Sequence, residues 1–238
     1  MEIFAHRGSS AHFPENTKES FADALNYADG LELDVHVSSD QQLVVIHDES
    51  VDRTSDGKGL VRKMTLSQLQ QLNIGSTNHP STIMTLPEVL HFLQQKKFTG
   101  TLNIEAKTNK FAYPTLVPLL VEALNKQDWS FSILISSFNL ETLLAIHEEK
   151  PALSLALLAS HNQRKIAKVL KYPFITSLHP DFLWVQRQAS EIALFPKLIR
   201  PWTVNTKKDL LYAKHLGLSA IITDYPKEAR EAIWKGRL

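Results

Sequence analysis

Charged side chains near the start of the chain lie at the ends of short apolar runs. His6 and Arg7 follow the first run, Glu32 and Asp34 lie two residues apart in the second, and His47 ends a third. Charged groups at strand ends contribute little to a core, so their presence needs another explanation. Imidazoles, carboxylates and a guanidinium are the groups that can hold a metal ion, bind an anion and move protons.

A third carboxylate follows a later apolar run, where Glu105 and Lys107 again lie two residues apart. Residues at this spacing on a strand point to the same face, so Glu32 projects with Asp34 and Glu105 projects with Lys107. Three carboxylates directed at one place repel unless something positive lies between them, and Mg²⁺ and Ca²⁺ prefer oxygen ligands. The alternative is that these acids pair with Arg7 and Lys107 in a structural ion network.

The two histidines suggest acid–base chemistry when they are taken as a pair. Either His6 or His47 by itself would more often be an ordinary strand-end histidine, but together beside carboxylates they suggest a general acid and a general base. Arg7 and Lys107 could be solvated surface charges, yet at strand ends they favour binding of an anion, and arginine binds phosphate bidentately. The set describes hydrolysis of a phosphate ester better than that of a sugar, because glycosidases need two carboxylates and no metal.

The elements that must position these residues alternate between strand and helix patterns. Short apolar runs bounded by polar residues predict about eight strands: Ile3 to Gly8, Leu31 to Val37, Leu102 to Ala106, Ser132 to Ser136, Ser154 to Leu158, Ile175 to His179, Pro201 to Val204 and Ala220 to Thr223. Strand followed by helix, repeated about eight times, predicts an α/β fold, a TIM (β/α)8 barrel. Active sites of such barrels lie at the carboxyl ends of the strands.

Apolar residues at spacings of three and four predict the helices between these strands. Asn16 is the predicted N-cap of the first helix, and Gly217 is the predicted C-cap of the seventh. The predicted helices are Asn16 to Tyr27, Leu86 to Lys96, Tyr113 to Lys126, Asn139 to Glu149, Arg164 to Leu170, Gln186 to Phe195, Lys208 to Leu216 and Pro226 to Trp234.

One segment interrupts the alternation after the second strand. A turn at Ser38 to Gln41 is too short to join parallel strands, so the run from Leu43 to Asp48 should return antiparallel as a hairpin. Residues 49–85 then carry turns and one short helix, Thr65 to Leu72. We interpret the chain as a single domain over residues 1–238, with residues 49–85 as a small insertion after the second barrel strand.

Composition removes several classes of function. The net charge is +1, which argues against a nucleic-acid partner, and there is no cysteine to form a disulfide, a zinc–thiolate site or a nucleophile. No uncharged apolar run approaches the roughly 20 residues of a membrane span, and no signal peptide is visible, although a processed form would look the same. A cytoplasmic location is the expectation, and a homodimer is left open.

Nine short motifs occur in order along most of the chain, and together they are far more specific than any one of them. They are Ala5-His6-Arg7-Gly8, Pro14-Glu15-Asn16-Thr17, Leu31-Glu32-Leu33-Asp34-Val35, Val45-Ile46-His47-Asp48, Asp52-Arg53-Thr54 with Gly57-Lys58-Gly59, Ile104-Glu105-Ala106-Lys107, Ser136-Ser137-Phe138, Trp202-Thr203-Val204-Asn205 and Thr223-Asp224-Tyr225-Pro226. In these motifs the chain resembles the glycerophosphodiester phosphodiesterase (GDPD) family.

The resemblance implies a TIM barrel with a small insertion and metal-dependent hydrolysis of glycerophosphodiesters to sn-glycerol 3-phosphate and an alcohol. It implies that His6 and His47 are the general acid and base. It also implies a role for each remaining site residue: Glu32, Asp34 and Glu105 bind a divalent metal ion (Mg²⁺ or Ca²⁺), Arg7 and Lys107 contact the phosphate, and Trp202 lines the glycerol side of the pocket.

Several alternatives stay open at the level of sequence. Either histidine could be the acid, and the nucleophile could be water or the glycerol 2-hydroxyl. A lysophospholipase D-like enzyme would use the same site on a larger substrate. A barrel that binds phosphodiesters without turnover is the alternative from another class, and the intact histidine pair argues against it. Asp48 could orient His47 or structure the insertion.

Overall fold

The computed structural model describes residues 1–77, 79–160 and 162–235, and within these residues the chain forms a barrel of parallel strands surrounded by helices. The strands are β1 (Glu2–His6), β2 (Gly30–Val37), β3 (Leu43–Val45), β4 (Thr101–Ala106), β5 (Ser132–Ser137), β6 (Ser154–Ala159), β7 (Ile175–Pro180), β8 (Leu198–Ile199) and β9 (Ala220–Thr223). The last three residues of the predicted domain, 236–238, lie outside the described residues.

Helices connect these strands on the outside of the barrel. They are α1 (Lys18–Ala24), α2 (Leu66–Gln70), α3 (Leu86–Gln95), α4 (Leu116–Leu124), α5 (Leu140–Glu149), α6 (Gln163–Val169), α7 (Phe182–Arg187), α8 (Ala189–Ile192), α9 (Lys207–His215) and α10 (Pro226–Lys235), with a 3-10 turn at Val61–Lys63. No helix in the described part of the chain is long and apolar enough to cross a membrane.

The parallel strands follow the order β8-β7-β6-β5-β4-β2-β1-β9. Between the two ends of this order, the Val204 amide donates to the carbonyl of Ile222 over 2.9 Å, and the Ile222 amide donates to Pro201 over 2.9 Å. The segment after β8 therefore joins β9 and brings the sheet close to full closure. The predicted TIM barrel is confirmed.

The alternation of side chains along β2 separates the core from the site. Leu31, Leu33 and Val35 belong to the main hydrophobic cluster, which the barrel forms with its surrounding helices. Glu32 and Asp34, at the intervening positions, therefore face the interior of the barrel. All eight residues of β2 are buried, as expected for a strand covered on both faces.

The predicted hairpin after β2 is also confirmed. β3 pairs antiparallel with β2, with Val35 opposite Val45 and Val37 opposite Leu43. The Ile46 amide then donates to the carbonyl of Asp34 over 3.1 Å, which carries the chain to His47 at the carboxyl end of the barrel. Residues 49–85 contain the 3-10 turn and α2, and they contribute to a second hydrophobic cluster that includes Val51, Val61, Leu69, Ile74 and Ile83.

The prediction that Asn16 caps the first helix is wrong. Thr17 is the N-cap of α1 and forms a reciprocal capping box with Ser20. Asn16 instead adopts a left-handed backbone conformation with φ of 57°, which asparagine tolerates better than most residues. Its buried side chain donates to Asp34 Oδ2 over 3.0 Å, so a residue interpreted as a helix cap belongs to the site.

Two other predicted elements differ from the structure. The strand predicted at Pro201 to Val204 is displaced, because β8 is Leu198–Ile199 and the following segment makes separate hydrogen bonds to β7 and β9 instead of a regular ladder. The helix predicted at Gln186 to Phe195 is two helices, α7 and α8, and it begins earlier because the Asp181 side chain caps α7. The predicted cap at Asn139 is confirmed. The C-cap of α9 is Leu216, one residue before the predicted Gly217, which follows it in the left-handed conformation with a φ of 69° that commonly ends a helix.

Candidate active site

A cavity of about 240 Å³ lies among the carboxyl ends of the barrel strands and contains most of the predicted site residues. A wider groove of about 750 Å³ between α1 and α3 contains none of them, so volume does not mark the site. The lining residues of the smaller cavity are His6, Arg7, Glu32, His47, Asn103, Glu105, Phe138, Leu158, Trp202, Thr203 and Ile222. Asp34 and Lys107 contact members of this set without lining the cavity.

Three buried carboxylates meet beside the cavity. Glu32 and Asp34 come from β2, and Glu105 comes from β4, where it is paired in register with Asp34. One oxygen from each of the three lies within 4.8 Å of the others. Burial, reinforced by the charge of Asp34, raises the pKa of Glu32 well above its ordinary value, and burial raises the pKa of Glu105 to about 7.

Two cations lie against these acids, so the ion network considered from the sequence is present. Lys107 Nζ is 2.9 Å from Glu105 Oε1 and 3.5 Å from Asp34 Oδ1, while Arg7 Nε is 3.3 Å from Asp34 Oδ2. Burial would raise the pKa of Asp34, but Lys107 and Arg7 outweigh it and hold that pKa well below its usual range. When all three are ionised, the carboxylates outnumber the two cations, one of which, Arg7, is also paired with Glu15, so negative charge is in excess here.

The donor set fits a hard divalent cation. Asp34 Oδ1 and Glu105 Oε1 are buried and accept no well-aligned hydrogen bond in the described structure, although Lys107 lies close to both. Carboxylate oxygens are the ligands that Mg²⁺ and Ca²⁺ take in proteins, and a divalent ion would neutralise the excess charge. The residues present are therefore compatible with a metal site at this position.

The imidazole of His6 is held by a carboxylate that follows the last barrel strand. His6 Nδ1 lies 2.6 Å from Oδ1 of Asp224. Asp224 also accepts hydrogen bonds from the Ser10 hydroxyl, over 3.0 Å, and from the side-chain amide of Asn205. Burial by itself would raise the pKa of Asp224. The hydrogen bonds outweigh burial and lower this pKa, and the hydrogen bond from His6 has the largest effect among them. The ionised carboxylate places a proton on Nδ1 and leaves Nε2 of His6 for chemistry.

The imidazole of His47 is held in the same way by its neighbour in sequence. His47 Nδ1 lies 2.6 Å from Asp48 Oδ1, and the guanidinium of Arg53 donates to both oxygens of Asp48. The hydrogen bond from Arg53 is the main reason that the pKa of Asp48 is held well below its usual range. Burial lowers the pKa of His47, although the charge of Asp34 opposes this change. The lowered pKa favours the neutral imidazole.

The backbone at His47 has a separate support from inside the barrel. His36, two residues after Asp34 on β2, is buried, and its Nε2 lies 3.0 Å from the carbonyl oxygen of His47. Its Nδ1 lies 3.1 Å from the hydroxyl of Tyr113. Burial lowers the pKa of His36, so the neutral ring donates from Nε2 and accepts at Nδ1. His36 thus ties the end of the hairpin to the barrel.

Apolar side chains form another part of the cavity wall. The rings of Phe138 and Trp202 meet edge to face with centroids 5.8 Å apart, and Leu158 lines the cavity beside them. The indole nitrogen of Trp202 donates to the carbonyl of His179 over 3.0 Å, which fixes the ring. The cavity therefore combines a charged part with an apolar part, as is usual for small-molecule sites.

Sequence reasoning assigned no chemical role to several residues that the structure brings to the site. Asp224 and Asp48 contact the two histidines, and Glu15 and Arg53 contact each other beside them. All four belong to the motifs, and the position of Asp48 directly after His47 was a usable signal. Asp48 contacts both His47 and Arg53, a residue of the segment that follows the hairpin. Both interpretations that the sequence leaves open for Asp48 therefore agree with the structure.

The comparisons with known proteins agree with this geometry. The model of the glycerophosphoryl diester phosphodiesterase family matches residues 6–228. The chain belongs to this family. It is 33% identical to a glycerophosphodiester phosphodiesterase from Caldanaerobacter subterraneus subsp. tengcongensis, over 98% of each protein. It is 34% identical to one from Bacillus altitudinis, over 96% of each. Membership makes the protein an enzyme of the phosphoric diester hydrolase class.

Solved structures show the same fold. A phosphodiesterase from Oleispira antarctica, solved in complex with the product sn-glycerol-3-phosphate, superposes with a TM-score of 0.85 at 30% identity and covers 98% of this chain and 96% of its own. A protein from Silicibacter pomeroyi superposes with a TM-score of 0.87 at 19% identity over 100% of this chain and 94% of its own, and it supports the fold alone.

Proposed function

We propose that the protein hydrolyses glycerophosphodiesters to sn-glycerol 3-phosphate and an alcohol. The observation that carries this proposal is the convergence of two carboxylate-supported histidines and three clustered carboxylates on one cavity of about 240 Å³. The Oleispira antarctica relative, at 30% identity, holds sn-glycerol-3-phosphate as its product, which supports the same product here. A cytoplasmic location and a homodimer stay predictions.

In this proposal His6 and His47 are the general acid and base. Each has Nδ1 occupied by an aspartate, so Nε2 is the nitrogen that exchanges a proton with the nucleophile or the leaving alcohol. An imidazole suits both tasks because its pKa lies near neutral pH. Asp48 and Asp224 fix the tautomer and stabilise the imidazolium that forms when a proton is taken up.

Glu32, Asp34 and Glu105 are the proposed ligands of a divalent cation, Mg²⁺ or Ca²⁺. When bound, such an ion would polarise phosphoryl oxygens and stabilise the charge of the transition state. Arg7 and Lys107 are proposed to bind the phosphate oxygens and add positive charge where negative charge develops. Trp202 is proposed to line the glycerol side of the cavity, where Phe138 packs against it.

We further propose that residues 1–238 form one domain in which residues 49–85 are an insertion. The second hydrophobic cluster supports this arrangement, because its members from the segment pack together with Val44 and Ile46 of the hairpin; these members are Val51, Val61, Leu69, Ile74 and Ile83. The insertion would thus be attached to the barrel through the same hairpin that carries His47.

The first test is release of sn-glycerol 3-phosphate from sn-glycero-3-phosphocholine by the purified protein. We expect turnover that excess EDTA abolishes and that Mg²⁺ or Ca²⁺ restores, because the uncompensated carboxylate charge needs a cation. Full activity in excess EDTA would remove the metal from the proposal. A parallel assay with lysophosphatidylcholine distinguishes this activity from that of a lysophospholipase D. Binding of the diester by calorimetry without any product would contradict catalysis.

A further inference from the structure

Arg53 occupies a bridging position between two carboxylates at the rim of the barrel. Its Nε and Nη2 donate to Asp48 over 2.7 and 3.0 Å, and its Nη1 and Nη2 donate to Glu15 over 2.7 and 2.8 Å. Both contacts are bidentate, the geometry in which arginine binds carboxylates most strongly and with defined orientation. Arg53 does not line the cavity and is about half exposed.

Each carboxylate in this bridge has a second partner in the site. Asp48 accepts from His47, and Glu15 accepts from Nη1 of Arg7 over 3.0 Å. Glu15 itself follows β1, so it belongs to the barrel and not to the hairpin. Arg53 therefore joins the support of His47 to the loop that holds Arg7.

We propose that Arg53 is a positioning residue, which fixes Asp48 against Glu15 and through Asp48 orients the imidazole of His47. This inference rests on the proposed function, in which His47 exchanges a proton with substrate. The backbone of His47 is tied by His36, but that contact leaves the side-chain rotamer free. The bridge supplies the missing constraint, because Asp48 cannot rotate without breaking two hydrogen bonds to Arg53.

The exposure of Arg53 argues that the bridge acts on orientation more than on stability. Exposed ion pairs contribute little to the free energy of unfolding. Lys110, in the loop after β4, is a matched control: its Nζ pairs with Glu49 over 2.8 Å, and its side chain is more exposed than that of Arg53. That pair also joins a barrel loop to the chain just after the hairpin, but among the described residues neither of its side chains makes a hydrogen bond or ion pair to the side chain of Asp48 or His47.

The experiment compares Arg53→Gln, Arg53→Lys and Lys110→Gln in turnover of sn-glycero-3-phosphocholine. Arg53→Gln should lower kcat by about 10-fold to 100-fold, the cost of a misplaced catalytic group, with a small change in KM. Arg53→Lys should recover part of the loss, since an ammonium keeps the charge but not both bidentate contacts. Lys110→Gln should match the wild type. Equal activity of Arg53→Gln and Lys110→Gln would overturn the proposal.

A spectroscopic measurement separates positioning from a merely structural role. The Nδ1 protons of His47 and His6 lie in hydrogen bonds of 2.6 Å and should give separate downfield signals in histidine-labelled protein, assigned with His47→Ala. Arg53→Gln should shift or broaden the His47 signal and leave the His6 signal in place. Two unchanged signals with a lowered thermal midpoint would overturn the proposal. These signals need no substrate, so they test the bridge even if the diester is not turned over.

Discussion

The two catalytic histidines of the proposed mechanism are held by regions of different construction. His6 ends β1, which pairs with a parallel strand on each side, while His47 lies beyond β3, the short second strand of a hairpin. Each imidazole is 2.6 Å from an aspartate, so the local arrangement is the same. The two sites differ in the groups that hold the aspartate and in whether these groups belong to the barrel or to the segment after the hairpin.

Neutral groups on barrel elements hold the aspartate of His6. Asp224 follows β9, which pairs directly with β1, and its other partners are a hydroxyl from Ser10 and an amide from Asn205. The strand ladder fixes both the histidine and its aspartate. Such a support needs short polar side chains and no additional charge.

Charged groups hold the aspartate of His47. Asp48 depends on Arg53, which in turn depends on Glu15 across the rim, and the His47 side chain is 31% exposed against 17% for His6. Beyond the end of β3 there are, in the described part of the chain, no strand hydrogen bonds to hold His47, and ion pairs and the contact from His36 hold it instead. The difference teaches that a barrel can position a cavity-lining side chain from outside its strands if other side chains supply the missing connection.

Removal of either histidine should have the largest effect. His6→Ala and His47→Ala should each lower kcat for sn-glycero-3-phosphocholine by about 10³-fold, because general acid–base catalysis contributes on this scale. His12→Ala is the matched control, since His12 lies in the loop after β1 but pairs with Glu228 at the surface. Steady-state rates with circular dichroism as a check of folding measure the effect. A folded His47→Ala protein of near-normal activity would contradict the assignment.

Much of this arrangement was predictable because it depends on local patterns. The alternation of apolar and charged residues in Leu31 to Val35 places Glu32 and Asp34 on one face whatever the partner strand is. The short turn at Ser38 to Gln41 forces an antiparallel return, and this brought His47 to the rim. The positions of these residues follow from strand direction and barrel architecture alone.

Apart from Asp48, which directly follows His47, the supports of the histidines were not predictable, because they depend on contacts between distant segments. Asp224 contacts His6 across 218 residues of sequence, and Arg53 contacts Glu15 across 38. Asn16 illustrates the same limit: its residue type suits a helix cap, and only tertiary structure directs its side chain to Asp34. The displaced strand at Pro201 lies at the seam of the barrel, where hydrogen bonds to two neighbours replace a local pattern.

Loss of charge on the aspartates should have the next largest effect and distinguish the two supports. Asp48→Asn and Asp224→Asn each remove the negative charge and replace one carboxylate oxygen by an NH2 group that only donates, so the Nδ1–H tautomer is no longer enforced and kcat should fall by about 10²-fold in either variant. Double variants that combine each of these substitutions with Arg53→Gln distinguish the support of His47 from that of His6. The double variant with Asp48→Asn should lose less than the sum of the free-energy changes, because Arg53 acts through Asp48, while the double variant with Asp224→Asn should be additive. Additivity in both pairs would place Arg53 outside the support of His47.

The smallest expected difference between the two supports is in how acid changes the free energy of unfolding. A carboxyl whose pKa is lower in the folded than in the unfolded state stabilises the fold above its unfolded pKa of about 3.9, and this contribution disappears as the pH falls towards the folded pKa. Hydrogen bonds from Arg53 depress the pKa of Asp48; for Asp224, hydrogen bonds from His6 and others outweigh the opposing effect of burial.

Stability should therefore fall between about pH 5 and pH 2 in the wild type, and each asparagine variant should reduce that fall. The reduction should be larger for Asp48→Asn, whose carboxyl accepts from a guanidinium, than for Asp224→Asn, whose other donors are neutral. Because both sites are partly exposed, we expect a difference of about 1 kcal/mol or less. Urea unfolding at a series of pH values measures it. A greater reduction for Asp224→Asn would show that the neutral support, and not the charged one, holds its aspartate more strongly.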